Sequence, residues 1–422
     1  MSDRPRLRPL ECFPIEHRGQ RLLALRDPSL LAEQVTTLPP AAAAVVALLD
    51  GDTTRDEICE EFFRRYRQKL PRPALDGLLA DLDRALLLDS EHFRDQAARV
   101  LGDYARAEVR PALHAGRSYP TDPEQLSHQL DSYFSHPQGP GPARPGTAPL
   151  PRALIAPHID FQRGGPAYAW AYRPLADASE RPEVIVVLGT AHNGIEHPFI
   201  LTTKHYATPL GLVRTEVDLV RAVAAHTTEL IGQGATLFAD EFHHRAEHSL
   251  EFQMVWLRHL LGPALDDNGP DGRRPQVAVL PILCGTLYEF IEQGADPAND
   301  ERVGGLLTAL QQVLAGRRVL WIAAADLAHV GPRYGDPQPL GPSDTAALEQ
   351  RDQATLAPVL GGDAAGWFSA IAAERDRRRV CGLAPIYGML TAARPGTGRL
   401  AAYAQCPAEQ GSVVSIASII YS

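Results

Sequence analysis

Residues 152–422 alternate short apolar runs with helical stretches, and this alternation limits the possible folds more than any other feature. The runs have the length and composition of strands that are buried on both faces. Strands separated by helices are typical of an α/β domain with a largely parallel central sheet and flanking helices. The predicted strands are 153–155, 184–188, 277–283, 319–324, 400–404 and 413–419. The predicted helices are 217–226, 249–261, 303–315 and 346–356.

Histidines follow two of these predicted strands, at the points where the strands end. His158 comes after the strand 153–155 and a proline, and His192 comes after the strand 184–188 and a turn of small residues. Open α/β sheets bind ligands at the carboxyl ends of their strands, and imidazole is a common ligand of iron, copper and zinc. Taken alone, His158 is more typical of a turn residue that hydrogen-bonds to the backbone.

Asp326 and His329 follow a third predicted strand, 319–324. If a helical turn begins there, the two side chains lie on one face of it. Such a pair can act in acid–base catalysis, bind a metal or orient a metal ligand. The alternative is an aspartate that caps a helix, with an unrelated histidine nearby.

A polar cluster opens the predicted helix 249–261 and contains His244, Glu247, His248 and Glu251. His244 and His248 are four residues apart, a spacing that can bind zinc on one helix face. Their order differs from the HExxH order of zinc proteases, so a zinc hydrolase is only weakly supported. The alternative is a cluster that faces solvent.

Cys381 precedes Gly382 near the start of another apolar helix. A helix N-terminus lowers the pKa of a thiol, and the thiolate is the form that binds metals. The alternative is a core thiol, which is the usual role of a free cysteine. Cys284, at the end of the strand 277–283, is interpreted as such a core residue.

The first 95 residues predict a small, mostly helical domain. A short apolar arm at 21–25 is followed by three helical stretches, and Thr54 and Glu57 form a capping-box pattern before the second. A strand and three helices suggest a winged-helix-like domain over residues 1–95, joined by a connecting helix or linker at 96–109 to a domain at 110–422. Two loops rich in glycine or proline, Pro137–Pro151 and Asp266–Arg274, are expected within that second domain.

This N-terminal part resembles the PqqD-like peptide-recognition domains in the segments LLDGDTTRDEICEEFFRRY and LDGLLADLDRALLL. Such domains bind leader peptides for peptide-modifying enzymes, so the resemblance implies a peptide partner for the N-terminal domain. The alternative is a helical extension that docks on the main domain.

Composition excludes several classes of function. The net charge of −10 and the lack of a long basic run argue against a nucleic-acid partner. No apolar run reaches the roughly 18 residues that a membrane span needs, and the Arg- and Pro-rich first ten residues do not look like a signal peptide. Five cysteines without a CxxC pair predict no disulfide framework, so a reducing, cytoplasmic location is expected.

Seven short motifs in residues 108–422 together resemble the Memo family, whose bacterial members include AmmeMemoRadiSam system protein B. Thr190-Ala191 departs from the family pattern, which usually has Pro-Ser or Pro-Asn before the histidine. In order, the motifs are RPALHAGRSYP, APHID, LGTAHNG, EHSLEFQ, LPILCG, AADLAH and CGLAPI.

The resemblance implies a fold similar to that of the LigB-type, class III extradiol dioxygenases, which use non-haem iron. It implies that His158, His192 and Cys381 bind Fe(II) or, as a second choice, copper. It also implies a radical-SAM enzyme and an AMMECR-like protein as partners. The residues expected to line the same pocket and to act in catalysis are Glu247, His248, Asp326 and His329.

Two functions remain open at this point. The first is a non-haem, metal-dependent redox enzyme or oxygenase whose metal keeps positions open for O₂ or substrate. The second is a module without turnover that binds a metal and captures a peptide or a protein. The sequence specifies no substrate.

Overall fold

The computed structural model describes residues 2–17, 19–29, 31–32, 34–193, 195–232, 234–266 and 275–422. Most of the predicted loop Asp266–Arg274, and Gly194 of the LGTAHNG motif, lie outside these residues. The chain forms two compact units, Met1–Ala107 and Glu108–Ser422. Within the described part of the chain, no helix has both the length and the apolar character needed to cross a membrane.

The first unit has a three-stranded antiparallel sheet and four helices around its own apolar core. Thr54 caps the second helix in the predicted capping box, because its side chain accepts the Glu57 amide while the Glu57 carboxylate accepts the Thr54 amide. The strands are β1 (Glu11–His17), β2 (Gln20–Arg26) and β3 (Thr36–Leu38). The helices are α1 (Pro40–Val46), α2 (Arg55–Tyr66), α3 (Arg72–Arg84) and α4 (Glu91–Arg106).

Residues 96–109, expected as a connecting helix or linker, are mostly helical because α4 continues to Arg106. Ser90 begins this helix by accepting the Phe93 amide at 3.1 Å, and Tyr104 is buried near its end. The core of the first unit includes Leu25 and Ile58, both fully buried. The winged-helix assignment of this unit stays a prediction.

The second unit is built on an eight-stranded mixed sheet. The predicted α/β class is confirmed, and the predicted parallel arrangement holds for the four central strands. A separate small sheet has the order β4-β8-β9. The strands are β4 (Val109–Arg110), β5 (Ala153–Ala156), β6 (Val184–Thr190), β7 (Phe199–Leu201), β8 (His205–Thr208), β9 (Gly211–Val213), β10 (Ala278–Cys284), β11 (Val319–Ala324), β12 (Asp326–Val330), β13 (Gly398–Ala408) and β14 (Ser412–Tyr421).

The order of the main sheet is β12-β14-β5-β11-β6-β10-β7, and β13 pairs with β14. Strands β5, β11, β6 and β10 are parallel to one another. The outer strands β7, β12, β13 and β14 pair antiparallel with their neighbours. The parallel strands are the ones whose carboxyl ends position the candidate site.

Helices cover both faces of this sheet. The side chains of Val184, Val186 and Leu188 pack on one face, and those of Ile185 and Val187 pack on the other. This alternation follows from the two-residue period of a strand, and it explains why the run is apolar throughout. The helices are α5 (Pro123–Phe134), α6 (Phe161–Asp177), α7 (Val217–Ile231), α8 (His248–Leu261), α9 (Tyr288–Gln293), α10 (Glu301–Val313), α11 (Pro342–Leu360), α12 (Ala364–Ala373) and α13 (Leu383–Ala393).

Candidate metal centre

The carboxyl ends of β5, β11 and β6 meet at one edge of the sheet. Ala324 of β11 pairs with Ala156 of β5 and with Gly189 of β6, so the three strands end at the same level. His158 and His192 follow the ends of β5 and β6 and therefore lie close together. Cys381 reaches the same edge from the turn between α12 and α13.

His158, His192 and Cys381 form a compact group of side chains that could hold a metal ion, the candidate metal-binding group. One donor atom from each residue lies within 4.8 Å of the donor atoms of the other two. The Cys381 Sγ lies 3.2 Å from the His158 Nε2, and the two imidazole rings have centroids 4.9 Å apart. Two imidazole nitrogens and one sulfur at these separations fit a single transition-metal ion.

Hydrogen bonds fix how each of the two histidines is oriented. The His158 Nδ1 lies 2.9 Å from the carbonyl oxygen of Ala324, and the His192 Nδ1 lies 2.9 Å from the Glu247 Oε1. Since both partners are acceptors, each Nδ1 donates its proton, which leaves the Nε2 of each ring to face a metal. This arrangement is the one in which histidine serves as a metal ligand.

The two histidines differ in their protonation. Burial, helped by the neighbouring His192, lowers the pKa of His158 to about 3. Burial also acts to lower the pKa of His192, but the Glu247 carboxylate and Cys381 outweigh it and hold that pKa well above its usual value. His158 is thus neutral at pH 7, whereas Glu247 and Cys381 favour the protonated form of His192.

Glu247 holds one side of the site together. Its buried carboxylate caps α8 by accepting the Ser249 amide at 3.1 Å, and it accepts the His192 backbone amide at 2.8 Å. The His248 Nδ1 lies 3.2 Å from the same carboxylate. Burial acts to raise the pKa of Glu247, but His192 and His248 lower it well below its usual value. The close group of His192, Glu247 and His248 is therefore explained by hydrogen bonds to one carboxylate.

His248 lies beside the metal-binding group. Its ring centroid is 4.6 Å from that of His192 and 5.6 Å from that of His158. Burial and the nearby His192 lower the pKa of His248, so its imidazole is neutral at pH 7. Its free Nε2 can accept a proton.

Asp326 and His329 lie on a strand, so the helical turn considered after β11 does not form. Both belong to β12, which pairs with β14 through an irregular register between these residues. The Asp326 Oδ1 accepts the His158 amide at 2.8 Å, and its Oδ2 lies 3.7 Å from the His158 Nε2. Burial raises the pKa of Asp326, and it lowers the pKa of His329 to about 4.

The pKa of the Cys381 thiol differs from the one that the sequence predicts. Cys381 does precede the apolar helix α13, but burial raises the pKa of its thiol, with His192 acting in the opposite direction. The predicted lowering by the helix N-terminus is therefore wrong, because the cost of placing a charge in this buried position is larger. Cys284 is fully buried in the core, as predicted.

His244 does not belong to this site. It lies in a short 3-10 helix (Glu241–Arg245) before α8, so it does not share a helix face with His248. Its two ring nitrogens lie 2.8 Å from the Tyr206 hydroxyl and 3.1 Å from the Ile200 carbonyl oxygen. Both nitrogens are thus engaged within the protein, which argues against a zinc site on His244 and His248.

A pocket opens beside the metal-binding group. Its volume is about 240 Å³, and His192 and Cys381 are part of its wall. Asp376 and Arg379, which the sequence analysis did not single out, also line it. The run of arginines before Cys381 could have indicated these two residues, but such a run more often lies on a solvent-exposed surface.

A buried network of hydrogen bonds behind Glu247 was not evident from the sequence. Arg110 donates to the carbonyl oxygen of Glu247 at 2.8 Å and forms a fully buried ion pair with Glu251. Glu251 also accepts a hydrogen bond from the Tyr119 hydroxyl. Arg110 and Tyr119 both lie in the motif RPALHAGRSYP, so that motif supports the segment that carries Glu247 and His248.

Comparisons with known proteins show which family this chain resembles. Residues 110–420 match the family model described as Memo-like protein. A MEMO1 family protein of Aeropyrum pernix is 33% identical over 291 residues, which is 68% of this chain and 88% of that protein. MEMO1 family protein MK0963 of Methanopyrus kandleri is 27% identical over 324 residues, 74% of this chain and 99% of that protein.

A MEMO1 family protein of Aquifex aeolicus is similar over a longer part of the chain. It is 22% identical over 370 residues, which is 88% of this chain and 86% of that protein. This alignment extends beyond the residues that the family model matches. Part of the N-terminal unit therefore has a counterpart in that relative.

Proposed function

This chain belongs to the Memo-like protein family, and from that premise we propose that it performs redox chemistry at a metal ion held by His158, His192 and Cys381. The observation that carries the proposal is the convergence of the three donors at the carboxyl edge of the sheet. Iron is the metal we favour and copper the second choice, because both accept mixed imidazole and thiolate ligands. Such an ion would supply one-electron chemistry that no side chain of this site provides.

The protein's own contribution begins with the orientation of its ligands. The carbonyl oxygen of Ala324 and the carboxylate of Glu247 hold the two imidazoles through their Nδ1 atoms, which leaves each Nε2 for a metal. Because Glu247 favours the protonated form of His192, a metal that binds the His192 Nε2 competes with a proton. Metal affinity should therefore increase with pH.

Two neutral histidines next to the ligands supply acid–base chemistry. The His329 Nδ1 lies 3.2 Å from the carbonyl oxygens of Leu327 and Arg379, which leaves its Nε2 as an acceptor. His248 is held in a similar way by Glu247. We assign to these two residues the transfer of protons at the proposed metal centre, and to Asp326 the positioning of His158.

The pocket beside His192 and Cys381 is the proposed substrate site. Its volume of about 240 Å³ is smaller than the roughly 300 Å³ at the lower end for drug-sized ligands. The proposal therefore favours a small substrate, or one group of a larger substrate, next to the sulfur ligand.

A turnover measurement tests this proposal. Protein loaded with Fe(II) without oxygen and then exposed to O₂ should consume O₂ faster than an equal amount of free Fe(II), and Cys381→Ser should abolish the difference. The exposed Cys12→Ser is the matched control and should behave like the wild type. Equal O₂ consumption by the wild type and Cys381→Ser would contradict the redox proposal.

A second candidate function is a binding module without turnover, and the N-terminal unit favours it. That unit has its own core, and Phe63 and Tyr66 of α2 are 46% and 45% exposed. Exposed aromatic residues are typical of surfaces that bind peptides or proteins. In this case the full chain would bind a peptide, or the radical-SAM and AMMECR-like partners that the resemblance implies. Phe63→Ala would then weaken that binding without changing O₂ consumption.

A further inference from the structure

The turn that delivers Cys381 has an unusual backbone. Three residues that are not glycine adopt a left-handed conformation within five positions, namely Arg375 (φ 52°), Asp376 (φ 46°) and Arg379 (φ 54°). Residues with a Cβ adopt this conformation at an energetic cost, and surrounding contacts must hold them there. The contacts of this turn are therefore informative about its role.

Arg378 supplies the central contact, and it is the buried member of an arginine run. Its side chain is 4% exposed, whereas its neighbour Arg377 is exposed. Its guanidinium donates to the Glu374 carboxylate at 3.0 Å, to the Thr355 hydroxyl at 2.6 Å and to the Asp352 carboxylate. A planar guanidinium with partners on several sides fixes the direction of the chain that carries it.

Two partners of Arg378 belong to a helix that contacts the main sheet. Asp352 and Thr355 lie on α11. Asp352 also accepts a hydrogen bond at 2.9 Å from the hydroxyl of Tyr403, which lies on β13. Arg378 therefore ties the turn to a helix and to the sheet at once.

The backbone on either side of Arg378 is bound to β12. The carbonyl oxygen of Arg378 accepts the His329 amide at 2.7 Å, and the Arg379 guanidinium donates to the His329 carbonyl oxygen at 3.1 Å. Next to Cys381, the Gly382 amide donates to the Asp326 carbonyl oxygen at 3.0 Å. The turn thus sets Cys381 and His329 in one arrangement.

From these contacts we propose that Arg378 is a positioning residue that holds the Cys381 sulfur against the Nε2 of His158. The proposal rests on the metal centre proposed above. Arg378 itself has no place among the metal-binding side chains, and it acts through the turn. If Arg378 only stabilised the fold, its replacement would change the accessibility of Cys381 and of the buried cysteines alike. The proposal therefore requires a measurement that separates Cys381 from the others.

Alkylation of the metal-free, full-length protein provides that measurement. The protein is treated with iodoacetamide, and the rate at each cysteine is followed by peptide mass spectrometry. Arg378→Lys keeps the charge but loses the planar fork, and Thr355→Val removes one acceptor at nearly constant volume. Both variants should speed alkylation of Cys381 about tenfold or more, which is what loss of a charge-assisted hydrogen bond does to local opening. The rates at the buried Cys284 and Cys406 should stay unchanged, because they report general unfolding.

Binding of Co²⁺ gives a second measurement on the same variants. Co²⁺ bound to a thiolate has a charge-transfer absorption, which reports whether Cys381 is a ligand. In Arg378→Lys and Thr355→Val the Co²⁺ affinity should fall about 10- to 100-fold, as is typical when residues supporting a ligand are changed. Arg377→Lys is the matched control and should resemble the wild type in both measurements.

Several outcomes would overturn the proposal. One is that Cys381 is alkylated at the wild-type rate in both Arg378→Lys and Thr355→Val. Another is that alkylation of Cys284 and Cys406 is accelerated as much as that of Cys381. If Arg378→Lys fails to fold, Thr355→Val decides the matter alone. If the wild type binds Co²⁺ without the thiolate absorption, the metal centre is contradicted, and the alkylation rates still decide the role of Arg378.

Discussion

At the scale of single residues, the candidate site depends on groups that orient the metal-binding side chains. His158 is held by a backbone carbonyl, and His192 is held by the carboxylate of Glu247. A backbone carbonyl cannot be removed by substitution, whereas a carboxylate can. Glu247 is therefore the residue at which orientation can be tested.

Glu247→Gln should weaken metal binding about 10- to 100-fold, the usual effect of changing a residue that orients a ligand. The amide still accepts a hydrogen bond, but it lacks the negative charge that supports His192. Competition with a chelator of known affinity measures the change. Glu229→Gln, at a carboxylate that is 73% exposed, is the matched control. The same affinity in Glu247→Gln and in the wild type would show that the carboxylate does not support His192.

At the scale of secondary-structure elements, the close approach of β6 and α8 brings His192 next to Glu247 and His248. Gly189 of β6 permits this approach, because a Cβ there would lie 2.7 Å from the Ser249 Oγ and 2.8 Å from the Leu250 Cδ2. Both contacts are with α8, which Glu247 caps. The glycine in LGTAHNG thus has a packing role beside the histidine that follows it.

Gly189→Ala should force α8 away from β6, destabilise the second unit by about 1–3 kcal/mol and lower metal affinity. The melting temperature and the metal content of the purified variant measure the two effects. Gly304→Ala on α10 is the control, because its Cβ would come no nearer than 3.4 Å to another residue and alanine favours a helix. A Gly189→Ala protein with an unchanged melting temperature would mean that the two elements can be spaced further apart without cost.

The sequence predicts the strands of this site better than it predicts the chain that brings Cys381 to it. Apolar runs that end in His158 and His192 identify the edge of a parallel sheet, since strand length and burial are local properties. The arrival of Cys381 depends on contacts such as that of Arg378 with Asp352, which join distant parts of the chain. Here the family resemblance favoured a metal ligand at Cys381, whereas the local pattern left a core thiol open as the alternative. The burial of His244 against Tyr206 could not be predicted for the same reason.

At the scale of the whole molecule, buried neutral histidines make stability depend on pH. Burial lowers the pKa of His244 from 6.5 to about 3. Between these two values the unfolded chain binds a proton that the folded protein does not, so the free energy of unfolding decreases as the pH falls. The contribution of His244 is fully present above pH 6.5 and is lost as the pH falls toward 3.

Replacing His244 should therefore flatten this dependence. In His244→Gln, the free energy of unfolding should change with pH less steeply than in the wild type between pH 6.5 and pH 4, by up to about 1.4 kcal/mol per pH unit. Urea unfolding of the metal-free protein followed by tryptophan fluorescence measures it, because all four tryptophans lie in the second unit. Equal slopes in the two proteins would mean that His244 is protonated when folded.

Metal content measured after purification without oxygen tests the metal centre most directly. The wild type should carry close to one iron or copper ion per chain, and His158→Ala and Cys381→Ser should each lose it while remaining folded. Cys12→Ser, the same change at an exposed cysteine, should retain the metal. Full metal content in both His158→Ala and Cys381→Ser would contradict the account, because the ion would then be bound elsewhere.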